Sequence, residues 1–101
     1  LKSWNVSKVT AISSMFNTAT RFNQPLKSWN VSKATNMSSM FSYAKSFNQD
    51  LSTWTTGIDG SDLNKYYRVA CNANNYIINK AYYPCKSNKA QFTRAELDCN
   101  W

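Results

Sequence analysis

Three cysteines are the residues of this 101-residue chain whose type and spacing best support chemistry. Cys71, Cys85 and Cys99 follow one another at equal intervals, and no Cys-x-x-Cys pair or histidine accompanies them, so their spacing does not fit a zinc site. We expect one disulfide among them, because closing a loop stabilises a small polar segment. It would place the chain in an oxidising compartment, at the cell surface, outside the cell or in an organelle lumen. Which two cysteines pair stays open, as does the role of the third thiol.

Residues suited to catalysis are scarce in the rest of the chain. It contains no histidine and only five acidic residues. Ser42 and Lys45 have the S-x-x-K spacing of acyl-serine enzymes, but neither an S-D-N nor a K-T-G motif follows. General acid–base and metal chemistry need histidine or clustered carboxylates. We therefore expect a protein that is not an enzyme, with no catalytic residue, no metal and no cofactor.

A tandem repeat organises the first half of the chain. Residues 1–25 align with residues 26–50 without a gap, and 17 of the 25 positions are identical. A third copy begins at Leu51 and loses the pattern near residue 60. A constant period of about 20–50 residues is typical of solenoids. The sequence therefore predicts repeats over residues 1–60 and a C-terminal, cysteine-containing capping segment over residues 61–101.

Each repeat unit contains two different spacings of apolar residues. Trp4 and Val6 flank Asn5, and this alternation predicts a short strand with the apolar side chains inward. From Val9 onward the apolar residues are spaced by three and four, which predicts a short helical segment. The predicted fold class is therefore an α/β solenoid of the leucine-rich-repeat type, in which each 25-residue unit contributes one strand and one helical segment.

Two helix start signals lie in the capping segment. Ser61 or Asp62 precedes Leu63 as the N-cap of a predicted amphipathic helix. Thr93 and Glu96 have the form of a capping box. We therefore expect a small, mostly helical cap on the last repeat.

The repeat motif resembles that of a known family. The stretches WNVSKVTAISSMFNTATRFNQPL and WNVSKATNMSSMFSYAKSFNQDL, within residues 1–56, are similar to the W-[D/N]-V-S-x-V-x-x-M-x-x-M-F-x-x-A-x-x-F-N-Q-x-L repeat of BspA-like leucine-rich repeat surface proteins of bacteria and protists. The chain departs from that repeat at Ile12, where the family has Met. The resemblance implies an extended right-handed solenoid with a binding or structural role, usually at a cell surface, and no catalytic residues.

Basic residues form predicted columns on the repeats. Lys2 aligns with Lys27 and Lys8 with Lys33, and residues 1–50 hold six basic residues and one acidic residue, a local net charge of 6 − 1 = +5. These residues either form a solvated basic face without a ligand, or their charge attracts an acidic protein surface, membrane headgroups or a polyanionic glycan. Nucleic acid is not expected, because the aromatic residues lie at core positions and not between the lysines. The predicted partner-binding residues are Lys2, Lys8, Lys27, Lys33, Ser3, Ser28, Asn5, Asn30 and Trp4.

The first repeat unit would leave one end of the solenoid open. Its strand edge would be unpaired and an apolar face would be exposed over Trp4, Val6 and Ile12. Either further repeats precede Leu1 or another protein subunit covers this end, and such a subunit is the partner that we expect. The expected function is accordingly a non-enzymatic interaction or structural module, such as a docking or accessory subunit of a larger assembly. A cell-surface adhesin and a polyanion-binding protein are the alternatives.

Two further features concern processing and membranes. Asn5, Asn30 and Asn36 begin N-glycosylation sequons, and Asn36 is the preferred candidate because it would lie on the outer helical segment. The apolar runs are at most three residues long, so no transmembrane segment is predicted.

Overall fold

A computed structural model describes residues 5–99 of the chain. The helical elements within this range are short, and all of them lie after residue 60. The two α-helices are α1 (Asn74–Ile77) and α2 (Arg94–Leu97), and the two 3₁₀ turns are Leu63–Lys65 and Lys80–Tyr82. Residues 5–99 form no β-strand and contain only isolated bridges, of which one joins Ala11 to Asn36.

The predicted fold class is wrong. Residues 5–62 contain neither a helix nor a strand, so the repeat units do not form a leucine-rich-repeat solenoid of strands and helical segments. They consist of consecutive turns in a small globule that measures 32 × 26 × 22 Å. The reason is a left-handed backbone at Ser14 and Thr18 and again at Ser39 and Tyr43, with φ between 55° and 61°. Because a right-handed helix cannot continue through such residues, the spacing by three and four reflects successive turns.

Asparagine side chains explain why the predicted strands do not form. The side-chain oxygen of Asn5 accepts a hydrogen bond from the N–H of Ser7 at 3.1 Å, and the equivalent Asn30 accepts the N–H of Ser32 in the same way. Such an Asx turn bends the chain where a strand would continue. The predicted alternation of burial is confirmed all the same, since Val6 and Trp29 are buried whereas Asn5 and Asn30 are exposed.

The repeat is visible in the way that successive turns contact one another. We define three turn segments, residues 11–22, 36–47 and 65–76. The first donates to the second through four backbone hydrogen bonds of 2.8–2.9 Å, from the N–H groups of Ile12, Ser14, Phe16 and Thr18 to the carbonyl oxygens of Asn36, Ser38, Met40 and Ser42. The second donates to the third in the same way, from Met37, Ser39, Phe41 and Tyr43 to Lys65, Tyr67, Val69 and Cys71. Equivalent residues of neighbouring segments therefore lie in register.

The third turn segment lies beyond the point where the sequence repeat fades. Arg68 and Asn72 are left-handed, with φ of 55° and 60°, and they occupy the positions that Ser39 and Tyr43 have in the second segment. The connection that leads to this segment is longer than the connection between the first two segments. An alignment without gaps therefore does not detect the third segment. The hydrogen-bond pattern continues past residue 60, and the division into two domains at that residue stays a prediction.

The helix predicted after Asp62 is much shorter than expected. The Asp62 carboxylate accepts a hydrogen bond from the N–H of Asn64 at 3.0 Å, as an N-cap requires, but only the 3₁₀ turn Leu63–Lys65 follows. The chain then enters the third turn segment, because Arg68 is left-handed. The predicted helical cap is accordingly reduced to α1, α2 and the two 3₁₀ turns.

The core is built from side chains that recur at equivalent positions of successive repeat units. Stacked pairs of equivalent rings, with centroids 5.6–6.3 Å apart and planes within 8° of parallel, are Phe16 with Phe41, Phe22 with Phe47, and Trp29 with Trp54. Tyr76 continues the second of these columns in the third turn segment, with its ring 5.2 Å from that of Phe47. Aromatic pairs of this kind contribute about 0.5–1.5 kcal/mol beyond the burial of their area.

Gly57 lies in close contact with the second repeat. Its N–H donates to the carbonyl oxygen of Ala34 at 2.8 Å, and a β-carbon on Gly57 would lie 3.1 Å from that oxygen and 3.1 Å from Cγ2 of Thr35. Because the carbonyl cannot move aside without weakening the hydrogen bond, we expect Gly57→Ala to lower the free energy of unfolding by about 1–2 kcal/mol. Urea unfolding followed by tryptophan fluorescence measures this. Exposed Ser28→Ala is the control, and an equal loss in both variants would contradict the explanation.

The closing segment, residues 91–99, packs against the third turn segment. Helix α2 lies within it, and the carbonyl oxygen of Leu97 accepts a hydrogen bond from the N–H of Ala70 at 2.8 Å. The Leu97 side chain is completely buried. A disulfide joins Cys71 of the third turn segment to Cys99. The closing segment is therefore held by a backbone hydrogen bond, apolar burial and a covalent bond.

The start of α2 is fixed by side chains. Thr93 and Glu96 form the predicted capping box, in which the Thr93 N–H donates to the Glu96 carboxylate at 2.8 Å and the Glu96 N–H donates to the Thr93 hydroxyl at 3.3 Å. Lys86 forms an ion pair with Glu96 at 2.9 Å. Both contacts orient α2 relative to the preceding loop.

Two buried tyrosines are expected to make the free energy of unfolding change with pH in the alkaline range. The hydroxyl of Tyr76 donates to the carbonyl oxygen of Tyr82 at 2.7 Å, and that of Tyr83 donates to the carbonyl oxygen of Ile77. Burial raises the pKa of both hydroxyls, because the charged form is disfavoured away from water. Above the pKa of about 10 that tyrosine has in an unfolded chain, the unfolded state therefore loses protons that the folded state keeps.

We expect the free energy of unfolding to be unaffected by these tyrosines below about pH 10 and to fall above it, by about 1.4 kcal/mol per pH unit for each tyrosine. The fall continues until the pH reaches the raised pKa of the folded protein. Urea unfolding at several values between about pH 9 and 11.5 measures this slope. Tyr76→Phe is expected to reduce the slope by about half, and an unchanged slope would contradict the assignment.

Candidate docking surface

The first turn segment has an edge whose carbonyl oxygens accept no N–H group of residues 5–99. Four alternate carbonyls of the second segment, from Asn36 to Ser42, and four of the third, from Lys65 to Cys71, accept a backbone N–H from the segment before. The equivalent carbonyls of the first segment belong to Ala11, Ser13 and Met15, to which no N–H of the described chain donates, and to Asn17, which accepts only the hydroxyl of Thr18. We call Ala11, Ser13, Met15 and Asn17 the upstream edge.

The exposure of this edge shows what a neighbouring segment changes. Met15 is 36% exposed, whereas its equivalent Met40 is completely buried. Asn17 is exposed, whereas its equivalent Ser42 is buried. Within residues 5–99, the second segment has a neighbour on both sides and the first has one, which accounts for the difference. The upstream edge therefore has the same alternate carbonyls and the same methionine that the second segment uses to contact its neighbour.

The apolar face predicted at this end is not found at the two of its three residues that the structure describes. Val6 and Ile12 are buried, so neither offers an apolar surface to a partner. Trp4 lies outside the described residues. The described part of this end offers Met15 and the row of carbonyls, neither of which the sequence pattern singles out.

The predicted lysine columns are described in part. Lys2 and Ser3 lie outside the described residues. Lys8 and Lys33 are exposed, and neither forms an ion pair with a group of residues 5–99. These two equivalent lysines are accordingly open to an anionic partner.

Lys27 has an acidic neighbour. Its ammonium group lies 3.7 Å from the carboxylate of Asp50, and both groups are substantially exposed. Hydrogen bonds from Ser52, and then the charge of Lys27, lower the pKa of the Asp50 carboxyl. Asp50 therefore stays charged at neutral pH and offsets part of the positive charge of this column, although an exposed pair of this kind adds little stability.

The polar residues predicted to bind a partner through the strand face either form local turns or are exposed. The side-chain oxygens of Asn5 and Asn30 are taken up by their Asx turns, and Ser28 is exposed. Asn36 is half-buried and belongs to no helix, and its side chain accepts the N–H of Ser38 at 3.2 Å. The reason for preferring Asn36 as a glycosylation site therefore does not hold, and glycosylation of any of the three asparagines stays a prediction.

The predicted disulfide is confirmed, and it joins Cys71 to Cys99 across 28 residues of sequence. The remaining thiol, Cys85, is half-buried with its sulfur 3.7 Å from the carbonyl oxygen of Ser52. A disulfide of this kind is compatible with an oxidising compartment.

The described residues bring no set of metal-binding side chains together. No cluster of three or more His, Cys, Asp or Glu side chains occurs within residues 5–99. Ser42 is buried whereas Lys45 is exposed, so the S-x-x-K pair does not share an accessible site. No helix of the described chain has the length and apolar character needed to cross a bilayer.

The repeat, the turn segments in register and the upstream edge define a small tandem-repeat protein. The family described as "Mycoplasma protein of unknown function, DUF285" matches residues 1–96, and the chain belongs to this family. Comparison with curated proteins and with solved structures gave no match. The resemblance of the repeats to BspA-like proteins is neither confirmed nor contradicted by this match and stays a prediction.

Proposed function

We propose that this protein is a non-enzymatic interaction module that docks another polypeptide along its upstream edge. The observation that carries the proposal is the row of carbonyls at Ala11, Ser13 and Met15. None of them accepts an N–H of residues 5–99, although every equivalent carbonyl of the next two turn segments does. A polypeptide along this edge would pair the carbonyls and cover Met15. Addition of a backbone segment to an open edge is a common mode of peptide recognition.

The energetics assign different roles to the backbone and the side chains of this edge. Free carbonyls are hydrated, so each new hydrogen bond contributes only about 1 kcal/mol net. Burial of an exposed methionine contributes roughly 1.5–3 kcal/mol when it is complete. The apolar contact therefore provides much of the affinity. The row of carbonyls sets the register, because a shift by one residue would leave them without donors.

The docking takes place at a cell surface or in an organelle lumen, where the protein acts as an accessory subunit of a larger assembly. The Cys71–Cys99 disulfide supports this setting, because structural disulfides persist where thiols are not kept reduced.

A site-specific cross-link tests the docking. A photo-reactive amino acid is placed at position 15, and in a control chain at the exposed position of Tyr43, in cells that make the protein. The cross-linked partner is identified, purified and titrated against the wild type, Met15→Arg and Tyr43→Arg. We expect Met15→Arg alone to weaken binding at least about tenfold, which corresponds to about 1.4 kcal/mol. Equal affinities of the three chains would refute docking at the upstream edge.

Polyanion binding is a second candidate function, favoured by the exposure of Lys8 and Lys33 without an ion pair among residues 5–99. Two lysines that release counterions would make the affinity for a sulfated glycan fall about tenfold between about 50 and 200 mM salt. A Lys8→Ala/Lys33→Ala chain is expected to lose this dependence, with Lys45→Ala as the control. A salt dependence that is the same in all three chains would exclude these lysines as the site.

A further inference from the structure

The third turn segment carries the donor row that matches the upstream edge. In the second segment, the N–H groups of Met37, Ser39 and Phe41 donate to the next segment. Their equivalents in the third segment are Tyr66, Arg68 and Ala70. The N–H of Tyr66 already donates to the carbonyl oxygen of Leu63 at 3.2 Å. The row of alternate backbone groups therefore ends in carbonyl acceptors at the first segment and in N–H donors, at Arg68 and Ala70, at the third. The N–H of Asn36, which donates to the carbonyl oxygen of Thr10 at 3.2 Å, lies outside this row and runs in the opposite direction.

This polarity decides which contacts between copies are compatible. A donor row of one copy would fit the acceptor row of another, and the contact would repeat head to tail without closing. Two upstream edges facing each other would bring carbonyl against carbonyl, which leaves both rows unpaired. A symmetric dimer through this edge is therefore disfavoured.

The closing segment pairs with one N–H group of the donor end, whereas Arg68 and Asn72 at this end are exposed. The N–H of Ala70 donates to the carbonyl oxygen of Leu97 at 2.8 Å and not to a further turn segment. Leu97 is completely buried, and the Cys71–Cys99 disulfide fastens the closing segment to the third turn segment. A second copy that approached this end would have to displace both.

The structure assigns to the closing segment the role of a stop that prevents copies of this chain from stacking end to end. The partner of the upstream edge is then an uncovered turn segment with N–H groups at alternate residues, and not the donor end of a second copy of residues 5–99. This inference rests on the proposed function, because it uses the same edge.

A variant whose donor row is uncovered and whose own acceptor row is blocked tests whether the closing segment prevents stacking. The donor chain carries Cys71→Ser, Cys99→Ser and Leu97→Asp to release the closing segment, and Met15→Arg to block its own upstream edge. Mixed with the wild type, it is expected to form a 1:1 complex with twice the 11.6 kDa mass of the single chain in sedimentation velocity. The wild type bearing Met15→Arg is the matched control and is expected to form none. A donor chain that keeps cooperative unfolding and near-ultraviolet dichroism but binds neither chain overturns the inference.

A second measurement applies if the donor chain does not fold. A copy of residues 26–50 is joined ahead of Leu1, so that the junction repeats the natural Asp50–Leu51 step and the closing segment stays intact. Stacking of the added copy is expected to slow peroxide oxidation of Met15 at least about fivefold, since the equivalent Met40 is completely buried. A scrambled extension is the control. An unchanged rate overturns the idea that a turn segment is the partner.

The two proposals fail separately. If a partner binds with a dependence on Met15 but neither the donor chain nor the added copy engages the upstream edge, the stop and the nature of the partner are refuted, and docking stands. If neither a partner nor a turn segment binds there, both proposals are refuted.

Discussion

Replacement of Phe41 by alanine is expected to lower the free energy of unfolding by about 3–5 kcal/mol, the largest effect of any single side chain considered. Phe41 is completely buried at the centre of the aromatic core. Its ring stacks on Phe16 at 5.6 Å and on Phe47 at 4.3 Å, and it contacts Trp54 at 6.5 Å. Truncation removes these contacts together and leaves a cavity that the fixed neighbouring rings cannot fill.

The effect of Phe41→Ala is measured by urea unfolding, with near-ultraviolet circular dichroism as a check of side-chain packing. Phe22→Ala is the matched control, because Phe22 is only partly buried and stacks in the same manner at the edge of the core. We expect the control to lose less than half as much. Equal losses would show that stability does not depend on the central position of Phe41.

Loss of the Cys71–Cys99 disulfide is expected to lower the free energy of unfolding by about 3–4 kcal/mol. The bond closes a loop of 28 residues in a chain of 101. In the chain-entropy description, opening such a loop stabilises the unfolded state by this amount. A small domain with a thin core depends strongly on a constraint of this kind.

This loss is measured by urea unfolding of a Cys85→Ser chain with and without a dithiol reductant, so that the free thiol cannot exchange with the disulfide. Cys85→Ser without reductant is the control, and we expect it to change stability by less than about 1 kcal/mol, because Cys85 is only half-buried. A reduced chain that is as stable as the oxidised one would contradict the assigned role of the bond.

The sequence alone could predict which core side chains stack on one another, but it could not predict the backbone conformation that brings them together. Phe16 and Phe41 occupy the same position of nearly identical repeats, so stacking of their rings follows from the period alone. The turns depend on a left-handed backbone at Ser14 and Ser39, and serine carries no signal for this conformation, which glycine and asparagine favour. Apolar spacings of three and four are therefore ambiguous between a helix and a chain of turns.

The third turn segment had a signal that a gapped alignment could find. The spacing of Tyr66, Val69 and Ala70, followed by Ala73 and Tyr76, is the spacing of the apolar residues in the second segment. Different residue types and a longer connection concealed it. The pairing of the cysteines could not be found in this way, because intervals of equal length favour no pair.

The sequence predicted which end of the stack forms the candidate site but not its residues, since Val6 and Ile12, which it placed on the exposed face, are buried and Met15 was not among the predicted residues. Met15 and Met40 are the same residue in the same motif, and only the number of neighbouring segments distinguishes them. The direction of the hydrogen bonds between segments likewise has no counterpart in the sequence. An open end can therefore be inferred from a repeat, whereas its donors and acceptors require coordinates.

The connection between the second and third segments can change in length, whereas the turn segments themselves cannot. Its residues 59–62 are mostly exposed and lie outside the hydrogen bonds that join the segments. Loops of this kind lengthen at small entropic cost. Evolution or an engineer can therefore graft a longer peptide there without displacing the ring columns, whereas an insertion inside a turn segment would misalign every pair that follows it.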